Sequence, residues 1–132
     1  MGQQQFLLIV LGVVITSVAI ATGLYIYQVS KTNQNKNAII NDISNIASLA
    51  QQHRVRSAGM AGGDGSFTGS NEFEIPEMLQ SNANATYEIT NISEMEVTFR
   101  AVSVLNENNA IEVSINNEGE FYGWVWEGAF GD

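Results

Sequence analysis

The residues that could do chemistry are few and scattered. His53 is the single histidine and stands between Gln52 and Arg54. A metal site needs several ligands at short spacing, and a nucleophilic triad needs a base, an orienting acid and a nucleophile; His53 has no such company. It reads as a solvated side chain in the last turn of a helix, where it complements the helix dipole. Glu72, Glu74 and Glu77 could flank an ion, but carboxylates spaced along a polar surface ordinarily only solubilise it. The stretch 57–69 carries Gly59, Gly62, Gly63, Gly65 and Gly69, a composition shared with phosphate-cradling loops. That chemistry also requires a preceding strand and a following Lys-Ser/Thr pair, and neither is there, so the stretch reads as a linker. Asn84-Ala85-Thr86 and Asn91-Ile92-Ser93 match the acceptor pattern for N-linked glycans, which makes Asn84 and Asn91 candidate modification sites. Ser66 and Thr68 are weaker candidates for O-linked glycans. With no cysteine, thiol catalysis, iron–sulfur clusters and disulfides are excluded. No nucleophile–base pair is recognisable, so the expectation is a chain that is not an enzyme and takes no cofactor or metal.

Charge narrows the partners. The 132 residues include 14 acids and 5 bases, a formal net charge of -9. The bases are Lys31, Lys36, Arg54, Arg56 and Arg100, too few and too dispersed to neutralise a nucleic-acid backbone. Every acid lies at Asp42 or later, and the first charge of either sign is Lys31.

What precedes that charge is a run of 22 residues from Phe6 to Tyr27, apolar on every face. As a helix it would span about 33 Å, enough for a bilayer core. Its large side chains include Phe6, Leu7, Leu8, Ile9, Val10, Leu11, Val13, Val14, Ile15, Val18, Ile20, Leu24, Tyr25 and Tyr27. A helix with no polar face must be surrounded by lipid or by other apolar helices. Tyr25 and Tyr27 fall where an interfacial aromatic belt would lie. A secretory signal peptide is a competing reading, since Ala19-Ile20-Ala21 offers a small-x-small cleavage site. Against it, the first five residues contain no Lys or Arg, and the apolar run continues past the site. A plain membrane anchor for an outward-facing head is the other competitor.

The helical pattern does not stop at Tyr27. Gln28–Gln52 has neither Gly nor Pro, and Ile39, Ile43, Ile46 and Ala50 recur in steps of four, three and four. That spacing draws one helix face, predicted to pack on a sheet. One helix is therefore expected from about Gln3 to about His53, apolar first and amphipathic later, on the order of 75 Å long. Glu74–Gln80, with Pro76 early in it, suggests a short helical turn. From Ala85 the period changes to two: Tyr87 and Ile89; Val97, Phe99 and Ala101; Ile111, Val113 and Ile115; Tyr122, Trp124 and Trp126. Short Asn-rich connections between these runs predict an antiparallel meander of about four strands with one apolar face. The row Tyr122, Trp124 and Trp126 is read as packing or as a subunit contact. The expected class is α+β. Residues 1–27 form the apolar half of the helix, 28–56 its amphipathic half, 57–84 a glycine-rich linker with a turn, and 85–132 the sheet head.

A long helix of this kind, followed by a glycine-rich stretch and an antiparallel sheet, resembles the type IV pilins and pseudopilins. Gly2, a short polar stretch and Phe6-Leu-Leu-Ile-Val-Leu-Gly-Val-Val-Ile15 carry the local resemblance. It covers about residues 1–55 and extends to the head only in architecture. The resemblance implies prepilin-peptidase cleavage between Gly2 and Gln3 and methylation of the new N-terminus. It also implies a filament core built from the apolar side chains named above. The implied partners are copies of itself, the membrane before assembly and a pilus assembly machinery. The implied location is a bacterial or archaeal inner membrane and then a cell-surface fibre. The chain departs from the family in three respects. Leu7 stands at the fifth mature position, where pilins usually carry a Glu that pairs with a neighbour's amine. Only Met1 and Gly2 precede the cut, without a basic leader, and no cysteine closes a C-terminal loop. The amides of Gln3, Gln4 and Gln5 offer hydrogen bonds in place of the Glu-to-amine pair. The expected function is a structural, major pilin-like subunit of a filament. A minor pseudopilin of a secretion system and a non-polymerising membrane-anchored binding module are the alternatives.

Overall fold

The computed structural model describes residues 2–69 and 71–131. The chain forms one α-helix, α1 (Gly2–Val55), then four strands: β1 (Ala85–Ile92), β2 (Glu96–Ser103), β3 (Ala110–Asn116) and β4 (Phe121–Glu127). Short 3-10 turns occupy Ala58–Met60, Glu77–Leu79 and Gly128–Gly131. The fold is therefore α+β, a long helix packed on a four-stranded antiparallel sheet. The chain divides into two compact units, Met1–Gln34 and Asn35–Asp132.

The second unit is a two-layer head. Its sheet is a meander in the order β1-β2-β3-β4, every pair antiparallel. Ile39, Ile43 and Ala50 are 0 % exposed and Ile46 2 %, so the helical stripe lies in the core. Opposite it stand the inward residues of the strands: Ala85, Tyr87, Val97, Phe99, Ala101, Ile111, Val113 and Ile115, all buried. A half-apolar sheet covered by one amphipathic helix is the simplest way to keep both faces from water. Asn side chains shape the turns. Asn106 Oδ1 accepts from Asn108 N at 3.0 Å, and Asn116 Oδ1 accepts from Glu118 N at 2.9 Å, each closing an Asx turn.

The segment expected to be a linker folds back as the C-terminal cap of α1. The last turns of a helix leave carbonyls without partners. Here Gly63 N donates to His53 O at 2.8 Å, Gly65 N to Arg54 O at 2.6 Å and Asp64 N to Arg56 O at 2.9 Å. A Cβ on Gly63 would stand 1.8 Å from Ser66 O, so only glycine permits this return. Phe67, Phe73 and Ile75, which follow, enter the core. The backbone bonds and these three anchors hold the glycine-rich stretch as a defined loop.

Bulges interrupt the strand alternation in β1, between Ile89 and Asn91, and in β4. Ser114 pairs with Tyr122 but Glu112 pairs with Val125, so β4 holds an extra residue around Gly123, which has φ +68°. Tyr122 is thereby turned to the outer face, where its hydroxyl donates to the Glu96 carboxylate. Phe121, Trp124 and Trp126 stay on the inner side. Period-two reading had placed Tyr122, Trp124 and Trp126 on one face.

Candidate functional site: the uncovered stem and the polar clasp of the head

The unit Met1–Gln34 is helix alone, and nothing in that unit covers it. From Phe6 to Val29 the large apolar side chains are 42–68 % exposed, and none is buried. The helix is long and apolar enough to cross a membrane. Two of the three Ser and Thr hydroxyls in the apolar run bond back to the helix itself: Thr16 Oγ1 donates to Gly12 O and Ser17 Oγ to Val13 O, each at 2.8 Å. Such back-bonding removes the cost of placing a hydroxyl in an apolar environment. Gly12, Thr16, Ala19 and Gly23 recur in steps of four, three and four, one face of small side chains. A Cβ on either glycine would meet nothing within 4 Å, so the face is open to close approach. Gly2, the residue matched to the peptidase site, is helical and exposed, as are Gln3, Gln4 and Gln5.

Among the described residues no group of three His, Cys, Asp or Glu side chains could hold a metal ion. His53 is half-buried rather than solvated. Its Nε2 donates to Asn71 O at 2.6 Å, and its ring lies 5.6 Å from that of Phe73. The histidine thus ties the end of α1 to the capping loop. Glu72, Glu74 and Glu77 are exposed.

What sequence reading missed is a polar clasp between helix and sheet. Asp42 Oδ2 accepts from Tyr87 Oη at 2.5 Å, Asn82 Nδ2 at 2.9 Å and Asn84 Nδ2 at 3.2 Å. Beside it, Asn35 Nδ2 donates to Asn84 O at 3.1 Å, and Ser103 Oγ donates to Asn35 Oδ1 at 2.6 Å. Asn84 is therefore engaged at the clasp, whereas Asn91 is exposed near the bulge of β1. A clue to the clasp was available: Asp42 is the only acid in α1 and adjoins Ile43 of the buried stripe.

The clasp sets the titration of its members. Burial pushes the Asp42 carboxyl up, but the hydrogen bonds from Tyr87, Asn82 and Asn84 outweigh it and hold the group below its ordinary value. Burial, then the hydrogen bond to Asp42 and its charge, push the Tyr87 phenol well up. A lowered carboxyl stabilises the fold above its unfolded pKa and loses that contribution as pH falls through the folded value. A raised phenol stabilises it below its unfolded pKa and loses that contribution as pH rises. The head should therefore be most stable between about pH 4 and pH 10 on account of this pair. In thermal melts followed by circular dichroism, Asp42→Asn should lower the melting temperature at pH 7 and flatten the loss between about pH 5 and pH 3. An acid limb identical to that of the parent chain would show that Asp42 does not hold the clasp.

The remaining features are packing and surface. Trp124 and Trp126 stack with centroids 5.0 Å apart and planes 2° from parallel, and Lys36 Nζ lies 4.4 Å from the Trp126 ring centroid. The same ammonium donates to Phe130 O at 3.0 Å. On the outer face Arg100 bridges Glu112 at 3.5 Å and Glu127 at 2.6 Å, pairs exposed enough to be worth about 0–1 kcal/mol each. The exposed apolar stem is thus the feature with the plainest functional consequence. Compared with known proteins, the chain matches no protein-family model, no curated protein and no solved structure.

Proposed function

We propose that this chain is the structural subunit of a helical filament, held in a membrane by its stem until it assembles. The observation that carries the reading is the uncovered apolar run from Phe6 to Val29, which needs lipid or other helices around it. In water each fully buried Leu, Ile or Val side chain is worth roughly 1.5–3 kcal/mol. Between lipid and a bundle of identical stems the balance is far closer, because lipid tails are as apolar as leucine. A membrane can then store subunits that later pack against one another. The small face of Gly12, Thr16, Ala19 and Gly23 supports this reading, because it lets backbones approach as a simple anchor does not require.

In this account Gly2–Gln3 is the processing site, and the large stem residues from Phe6 to Tyr27 form the fibre core. The head, closed by its own core and clasp, is carried on the surface. Negative-stain microscopy of material sheared from cells, with the protein identified in it, tests the proposal. Long uniform fibres containing this chain are expected. Recovery only as detergent-soluble monomers would favour a membrane-anchored binding module, and short tips would favour a minor pseudopilin.

A further inference from the structure

We infer that the outward face of α1 between Asn37 and Gln52 is a contact surface for the same helix of a second copy, joined through side-chain amides. The inference rests on the filament reading above. Asn37, Asn41, Asn45, Ser48 and Gln52 recur in steps of four, four, three and four, so they share one helix face, and all are exposed. None is charged, in a chain with 14 acids and 5 bases.

The two sides of this helix are treated differently. Four polar side chains toward the sheet bond across to it or its loops: Asn35 bonds Asn84 O, Lys36 bonds Phe130 O, Gln51 bonds Asn117 O, and Asp42 accepts three donors. Among the described residues the four outward amides have no hydrogen-bond partner within the molecule. A side-chain amide is donor and acceptor at once, so a ridge of them is complementary to another such ridge. A strongly charged partner would instead be matched by opposite charge. Single Asn residues between paired helices are known to fix register in this way.

Charge also favours a second copy at this face. Three of the five bases, Lys31, Lys36 and Arg54, lie on α1, Arg56 stands directly after its end, and thirteen of the fourteen acids follow it. Two copies of net charge -9 meet with least repulsion where the helices face each other and the acid-rich loops and strands point away. Helices packed about 8–10 Å apart bring such amides within bonding reach.

The chain contains no cysteine, so one introduced thiol is an unambiguous probe. Asn41→Cys should react freely with a water-soluble maleimide in detergent-dispersed monomer. In sheared fibres of the same full-length variant it should react at least ~10-fold more slowly, as expected for a desolvated contact. Met78→Cys, at a position 89 % exposed in the monomer, controls for access of the reagent to the fibre. Asn41→Gln should preserve fibre yield and Asn41→Glu should reduce it. If Asn41→Cys alone fails to polymerise while Asn41→Gln polymerises, the contact is supported. Fibres in which Asn41→Cys labels as fast as in detergent overturn the contact and leave the filament reading standing. Absence of fibres from the parent chain overturns both.

Discussion

Val14→Asp should abolish fibre formation while leaving the head folded. Val14 lies near the middle of the run from Phe6 to Tyr27 and is 53 % exposed in the isolated chain. A carboxylate at the centre of a membrane-spanning helix costs about 2.5–3.5 kcal/mol on insertion scales. In a dry bundle of identical stems the same charge repeats in every copy and has no base to meet, since the first base is Lys31. A cost of about 3 kcal/mol per subunit is more than a hundredfold in an association constant. The sheared fraction should lose the protein by at least that factor, with no change in the head's melting temperature, because Val14 lies outside the unit that holds the core. Fibres at the parent yield would contradict a core built from the stem.

Ile43→Ala should give the largest loss in the head. Ile43 is 0 % exposed, at the centre of the stripe from Ile39 to Ala50, and belongs to the same cluster as Val97, Phe99 and Ile111. Truncating a fully buried Ile to Ala costs about 2–5 kcal/mol through lost burial and the cavity left behind. In a domain of this size each kcal/mol moves the melting temperature by about 4–8 °C. The check is a melt of the detergent-solubilised chain followed in the near ultraviolet, where the Trp124–Trp126 stack reports tertiary packing. A drop under about 4 °C would mean that the helix contributes little to the head, because that shift corresponds to less than 1 kcal/mol.

These two substitutions fall on the parts of the molecule most legible in the sequence. An uncharged 22-residue run and a four-three-four stripe are periodic signals, and periodic signals survive tertiary context because a whole face must be buried or covered. The four strands were legible for the same reason, since Asn-rich turns interrupt the period of two. Three things were not legible. The capping loop depends on Gly63 accepting a backbone contact at 1.8 Å from where a Cβ would stand, and composition cannot distinguish that from a slack linker. The bulge at Gly123 inserts one residue and turns Tyr122 outward, a shift that strict alternation cannot show. The clasp of Asp42 with Tyr87 joins residues 45 positions apart, a pairing set only when helix and sheet meet.

The stem itself shows a division of labour with the head. The head ties its helix to the rest of its fold by polar side chains: Asn35, Asp42, Gln51 and His53 each bond a group outside α1. The stem bonds the Thr16 and Ser17 hydroxyls back to its own carbonyls but leaves its apolar side chains uncovered. A chain arranged this way is complete at one end and in need of surroundings at the other, which is the physical content of the subunit reading.

The most direct measurement is negative-stain microscopy of the sheared cell-surface fraction from cells producing the parent chain and the Val14→Asp variant. The account predicts long fibres of uniform width containing the protein from the parent and none from the variant. A parent chain found only as dispersed, membrane-extracted monomers would contradict it.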